Sequence, residues 1–239
     1  MISTKSTTRR PLRCYGRQDS GVGRAFTRSF WEAALLGAIG LKRPRLLQRS
    51  FYERSPDVVA RDLLGKLLVR RLARKRLIGR ITEIEAYLGE SDPASHAYGG
   101  KSPYNAVLFG PAGRTDVYLI YGLHYCLNFS CLPNGRPGGV LIRALQPLEG
   151  IATMAKLRGL QTTSSARQLT GGPGRVCQAL NIKRASDHDI DVTLASSSIQ
   201  VMDDGDPPGK VLVTPRIGIS KAVDLPLRFV VESDKRRGH

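Results

Sequence analysis

The chain has 239 residues, 41% hydrophobic and 24% charged, with 25 Gly and 14 Pro, a globular composition long enough to bury one sizeable core. Its outlying feature is charge: 37 Lys+Arg against 20 Asp+Glu give +17 and a pI near 10.3, a field that favours nucleic acid or another anionic surface. No apolar run approaches the roughly 18 residues a spanning helix needs, and four cysteines (Cys14, Cys126, Cys131, Cys177) without a CxxC pair read as free thiols of a reducing cytoplasm rather than a disulfide frame or zinc site.

The charge is uneven. Residues 1–50 carry eleven Lys/Arg against Asp19 and Glu32, which is +9 and leaves +8 for the remainder. The rest is only moderately basic, so charge alone does not name DNA. Residues 1–45 form a basic extension, read as a disordered arm, a transit-like peptide or a start codon placed too far upstream, the last favoured. Within it Trp31, Leu35, Leu36 and Ile39 fit a short amphipathic helix, marginal without tertiary contacts. Residues 30–41 are the best apolar run, but Glu32 inside it argues against an export signal.

The domain is expected over residues 46–235. Ser55-Pro56-Asp57 reads as a helix opening, with Ser as N-cap and Pro in the first turn, and the helix closes at Gly65. Residues 66–72 read as a strand, 73–76 as a charged turn and 77–88 as the antiparallel partner. In that second strand the period of two puts Glu83, Glu85 and Tyr87 on one face and Ile84 and Ala86 on the other. A carboxylate beside an aromatic ring, followed by a polar loop with Asp92, Pro93 and His96, is where a site is expected. The plainer reading is an edge strand with solvated acids.

Residues 102–113 form a Pro/Gly-punctuated loop. Residues 117–131, VYLIYGLHYCLNFSC, read as two strands meeting at Gly122, with Tyr118 and Asn128 inward, Tyr125 as half-buried filler and Tyr121 at the tip. After a turn at 133–139, residues 140–145 form a strand in which Leu141, Arg143 and Leu145 share parity. Both of its faces look apolar, so Arg143 needs an acid: a structural partner, or Glu85. Residues 147–160 read as a helix, 161–168 as a polar linker, and LTGGPGRVCQALNI (169–182) as a glycine-rich loop entering a helix, suited to a phosphate but weak alone. The acids at 187–191 and 203–206 do not have calcium-loop spacing and read as solvated turns. Strands are expected at 197–202, 210–215 and 225–231, and no internal repeat is visible.

Eight blocks in order, GRITEIEAYLG, DPASHAYGG, FGPAG, VYLIYGLHYCLN, VLIRALQPLEG, LTGGPGRVCQAL, TPRIGIS and PLRF, resemble the alkyladenine/3-methyladenine DNA glycosylase family over residues 46–232. The resemblance implies a single mixed α/β domain with a curved antiparallel sheet and a β-hairpin that enters the DNA minor groove. It implies Glu85 as general base, Arg143 helping to hold the attacking water, and the Ile217 carbonyl completing that water's site. Tyr87 would form one wall of a base pocket, His96 and Tyr118 the other. Asn128 would crowd a guanine 2-amino group, and Tyr121 would fill the gap left by an extruded nucleotide. Tyr104, Leu108 and Asp116 stand where the family often has Arg, Met and Tyr.

Such an enzyme needs negative charge near C1′ and a poised water, because an N-glycosidic bond breaks through an oxocarbenium-like sugar. No lysine is placed for a Schiff base, so a monofunctional, cofactor-free enzyme is expected. It would act as a monomer on double-stranded DNA carrying damaged purines, away from membranes and in the cytoplasm at the nucleoid. A non-catalytic damaged-DNA or RNA binding module is one rival. A helix-hairpin-helix glycosylase, hinted at by LTGGPGR, is another, weakened by the lack of a preceding paired helix in the sequence pattern.

Overall fold

The computed structural model describes Met1 and residues 44–232; the expectations for Cys14, Glu32 and the Trp31 segment lie outside the described residues. Among the described residues nine strands form one antiparallel sheet: β1 (Arg45–Leu46), β2 (Leu67–Leu72), β3 (Lys75–Tyr87), β4 (Thr115–Ile120), β5 (His124–Ser130), β6 (Gly139–Glu149), β7 (Ile199–Asp203), β8 (Val211–Thr214) and β9 (Arg228–Val231). The main path runs β1-β7-β2-β3-β6-β5-β4. β3 is the axis. One edge pairs with β6, while the other pairs first with β2 and then, over Glu83 to Glu85, with β9, to which β8 is added. The mixed α/β domain with a curled antiparallel sheet is therefore the fold expected.

The curl comes from β3 against β6. Their register shifts between Ile78 and Gly79 and twice between Ile81 and Ile84. Gly79 is needed at the first shift, since a Cβ there would stand 2.9 Å from Leu145 Cβ. At the second site Glu83 pairs with Ala144 and Ile84 with Ile142, so Arg143 is the extra residue of a bulge. Bulges bend a strand and re-aim a side chain. This corrects the simple parity expected for β6: Leu145 packs in the main core with Ile142, whereas Leu141 belongs to a separate cluster with Tyr118 and Cys126.

Among the described residues six α-helices cover the sheet: α1 (Arg49–Tyr52), α2 (Pro56–Leu63), α3 (Ile151–Arg158), α4 (Ala166–Thr170), α5 (Pro173–Ala179) and α6 (Arg184–Asp187). The α2 opening is as expected except that the Ser55 hydroxyl bonds the Asp57 carboxylate and no backbone N–H. The helix expected from Pro147 begins only at Ile151, because β6 continues through Pro147, whose missing N–H is tolerated near the end of a strand. Inside the expected 161–168 linker, Ser165 and Gln168 form a capping box that starts α4. That helix precedes α5 across Gly171-Gly172, so the short paired helix missing from the sequence pattern does exist. The hairpin turn at Ala73-Arg74 is tighter than expected, with Leu72 opposite Lys75. Cys126, Cys131 and Cys177 are free and buried.

Candidate active site

β3 delivers Glu85 to a wholly buried position with three donors. Oε2 accepts from Tyr87 Oη at 3.0 Å and from Arg143 Nη1 at 3.0 Å, while Oε1 accepts the Ile217 backbone N–H at 2.8 Å. A buried carboxylate without such partners would be strongly destabilising. Of the two partners left open for Arg143, a structural acid or Glu85, the structure gives both: through the β6 bulge it pairs with Glu85 and with Glu83. The resemblance placed the Ile217 carbonyl here; the group the structure shows on Glu85 is the N–H of the same residue. The bonds extend outward: Arg143 Nε and Arg228 Nε both donate to Glu83 Oε1 at 2.8 Å, and Arg228 Nη1 reaches Thr214 Oγ1 at 2.9 Å. Burial opposes charge on Glu83, but the hydrogen bonds from Arg228 and Arg143 outweigh it and hold its carboxyl below the usual range. For Arg143, burial works against the charged form, yet Glu85 and Glu83 hold it firmly protonated. Burial and the neighbouring Glu85 charge push the Tyr87 hydroxyl up, so it remains a donor.

Above this cluster lies a cavity of about 300 Å³, lined by Tyr87, His96, Tyr118, Tyr121, Asn128, Arg143 and Ile217 among others. Glu85 is not among its lining residues; it sits behind Tyr87 and Arg143. Tyr118 is buried and meets the exposed His96 edge-on, ring centroids 4.5 Å apart. Cys126 also lines the cavity, its thiol pushed up to about 11 by burial. At the tip of the β4–β5 hairpin Tyr121 is 80% exposed at φ +51. With Gly122 at φ +66 and Leu123 N–H bonded to the Ile120 carbonyl, the turn has two central residues in the left-handed region. A bulky ring held at positive φ is strained.

Two positioning devices were not read from the sequence. Arg216 and Asp92 form a bidentate pair at 2.5 and 2.8 Å with both side chains wholly buried. Arg216 also donates to the Ala86 carbonyl at 3.0 Å, and its guanidinium carbon lies 4.7 Å from the Tyr87 ring centre. Asp92 accepts the N–H groups of Leu88 and Ala94, so this pair ties the loop that carries His96 to the one that carries Ile217. Burial would raise the Asp92 carboxyl, but Arg216 and the two N–H groups hold it low. Asn105, also buried, donates to the carbonyls of His96 and Gly100 at 2.8 and 3.0 Å. Gly89 turns the chain out of β3 at φ +77, where a Cβ would meet the Pro137 carbonyl oxygen at 2.0 Å. A sequence signal existed for the pair, since both residues lie within blocks that carry the resemblance.

Of the departures, Tyr104 has the Arg184 guanidinium 4.7 Å over its ring, so positive charge reaches this surface from α6. Leu108 is buried and lines the cavity. Asp116 accepts from Asn128 Nδ2 at 3.1 Å. The reading of the acids at 187–191 and 203–206 as solvated turns is corrected: Asp187 ends α6 and Asp203 ends β7, Asp187 and Asp204 are buried, and the cost of that burial is met by ion pairs, Arg70 with Asp187, Arg49 with Asp191, Lys66 with Asp203 and Arg80 with Asp204.

Residues 50–235 match a family of DNA-repair enzymes, hydrolases that act on N-glycosyl bonds. The chain belongs to that family, methylpurine-DNA glycosylase. It is 50% identical over 185 residues to a protein of Koribacter versatilis, covering 77% of this chain and 89% of the relative. A Burkholderia lata protein is 44% identical over 191 residues (80% and 89% covered), and one of Carboxydothermus hydrogenoformans 44% over 193 (80% and 97%). All three carry the provisional name 3-methyladenine DNA glycosylase. Among the described residues no helix is long and apolar enough to cross a membrane.

Proposed function

We propose that the protein removes alkylated or otherwise damaged purines from double-stranded DNA by hydrolysis, leaving an abasic site. The observation that carries this reading is Glu85 held with Arg143 beneath an aromatic cavity, beside a hairpin whose tip is an exposed tyrosine. The damaged nucleotide swings out of the stack, at a cost of a few kcal/mol, least for lesions and mispairs. Tyr121 enters the gap it leaves. The base stacks against Tyr87, His96 and Tyr118, worth about 1–3 kcal/mol, and Asn128 meets its edge.

The glycosidic bond then breaks, its electron pair leaving with the base nitrogen, while a water oxygen bonds to C1′ and Glu85 takes the water proton. The ionised Glu85 also stabilises the cationic sugar. Oε2 accepts from both Tyr87 and Arg143, but Oε1 accepts only the Ile217 N–H and so keeps an acceptor site for the water. Arg143, anchored by Glu83, keeps its contact and orients the water. No lysine lines the cavity, which favours hydrolysis over Schiff-base chemistry.

Chromatography of bases released from methylated DNA and from hypoxanthine-containing DNA tests the reading. Free 3-methyladenine or another modified purine, with an intact but alkali-labile strand, is expected; DNA held without base release would contradict it.

A further inference from the structure

Arg228 on β9 lies directly across the sheet from the buried carboxylate. It pairs with Glu85 on β3 and, on its other side, with Thr214 on β8, and paired residues share a face with Cβ atoms about 5 Å apart. Its guanidinium nevertheless turns to the neighbouring acid: Nε donates to Glu83 Oε1 at 2.8 Å and Nη1 to Thr214 Oγ1 at 2.9 Å. Arg143 Nε reaches that same Glu83 oxygen at 2.8 Å from the β6 side, and its Nη1 goes to Glu85 Oε2 at 3.0 Å. One carboxylate oxygen thus serves two arginines, which fills both of its lone pairs.

The consequence is a charge balance. Facing Glu85 are Glu83 and Tyr87 from its own strand, Arg143 from β6, Cys126 from β5, the Ile217 N–H from the loop after β8 and Arg228 from β9. Tyr87 and Cys126 stay neutral, because burial pushes both the phenol and the thiol up, and the Arg216 cation over the Tyr87 ring is paired with Asp92. What remains is two acids against two arginines, with no side chain of the four more than 20% exposed. Burial works against charge on Glu83, and Arg228, then Arg143, hold its carboxyl below the usual range. Without Arg228, Arg143 alone would face both acids. A carboxylate facing a guanidinium prefers two parallel bonds, so Glu83 would draw Nη1 as well as Nε and pull it from Glu85.

We propose that Arg228 is a positioning residue for base release: it occupies Glu83 from the β9 side, so that Arg143 stays on Glu85 and the buried acids stay matched by cations. This rests on the glycosylase reading above. Arg228 is not among the residues that line the cavity, so it acts through Glu83 and Arg143 rather than on the base.

The test is the pH profile of single-turnover base release by the full chain on a methylated duplex, with enzyme in excess and spontaneous loss subtracted. Removing one of the two cations leaves the buried cluster with an unmatched negative charge, so it takes up a proton at higher pH. Arg228→Gln should therefore lose activity on the acid side at a pH about one unit or more above the wild type, with the plateau rate down about tenfold. Arg228→Lys, which keeps the charge, should stay within about 0.3 unit of the wild type. Should Arg228→Gln not fold, Glu83→Gln/Arg228→Gln, which leaves Glu85 and Arg143 matched, is compared with Glu83→Gln and must lose activity at a pH about half a unit or more higher. A slower plateau with the acid limb left in place, or an acid limb that Arg228→Lys moves as far as Arg228→Gln does, would overturn the proposal with the glycosylase reading intact. Release of no modified base by the wild type would overturn that reading as well.

Discussion

Replacing Arg216 with methionine removes the cation from a pair in which neither side chain has any exposed surface. Deleting one partner of a buried ion pair typically costs about 3–5 kcal/mol. Leu88 and Ala94 N–H remain on Asp92, which favours the lower part of that range. Loss of the bond to the Ala86 carbonyl and of the cation over Tyr87 adds about 1 kcal/mol each, so a loss of about 5 kcal/mol is expected. Against typical domain stabilities of about 5–15 kcal/mol, the variant should fold and unfold at clearly lower urea, with an unchanged m-value. The double variant Asp92→Leu/Arg216→Met, which removes both charges, should recover at least about 2 kcal/mol of this. A single-variant loss below about 1 kcal/mol, or a double variant as unstable as the sum of the singles, would refute the reasoning that this pair holds the two loops together.

Tyr121→Gly should release backbone strain and raise stability by up to about 1 kcal/mol, yet slow base release at least tenfold; thermal melts and single-turnover excision on the same preparation check the opposite signs. Glu83→Gln should leave Arg143 free to turn wholly onto Glu85, reducing excision by about tenfold to a hundredfold with lesion binding within threefold, measured by fluorescence anisotropy. The depressed carboxyls of Asp92, Glu83 and Asp204 contribute stability above the unfolded value near 4 that is lost as pH falls through their lower folded values, so urea midpoints should drop steeply below about pH 4. Asp116 has the opposite sign: burial raises its carboxyl, so its contribution is lost as pH rises through the folded value, and Asp116→Asn should be more stable than wild type at neutral pH by urea titration.

The sequence pattern was strongest where one strand carried both the chemistry and the core. Period-two alternation put Glu85 and Tyr87 together, and an arginine in an apolar strand demanded an acid; both follow from the cost of burying charge. Gly122 marked the hairpin tip because a tight turn needs positive φ, which in turn left Tyr121 outward. What alternation could not show is the bulge at Arg143, since an extra residue cancels parity only once the partner strand is known. The Asp92–Arg216 pair spans 124 residues of sequence, so no local spacing reports it. The Pro147 error has a similar cause: a proline followed by helix formers reads as a helix start unless the pairing of Pro147 with Gly79 is seen.

The most direct measurement is single-turnover excision by Glu85→Gln on a duplex with one defined lesion, run beside a binding titration. Binding should stay within a few-fold of wild type and weaken steeply with salt, while base release falls by about 10²–10⁴-fold. Release at the wild-type rate would show that Glu85 does not activate the water.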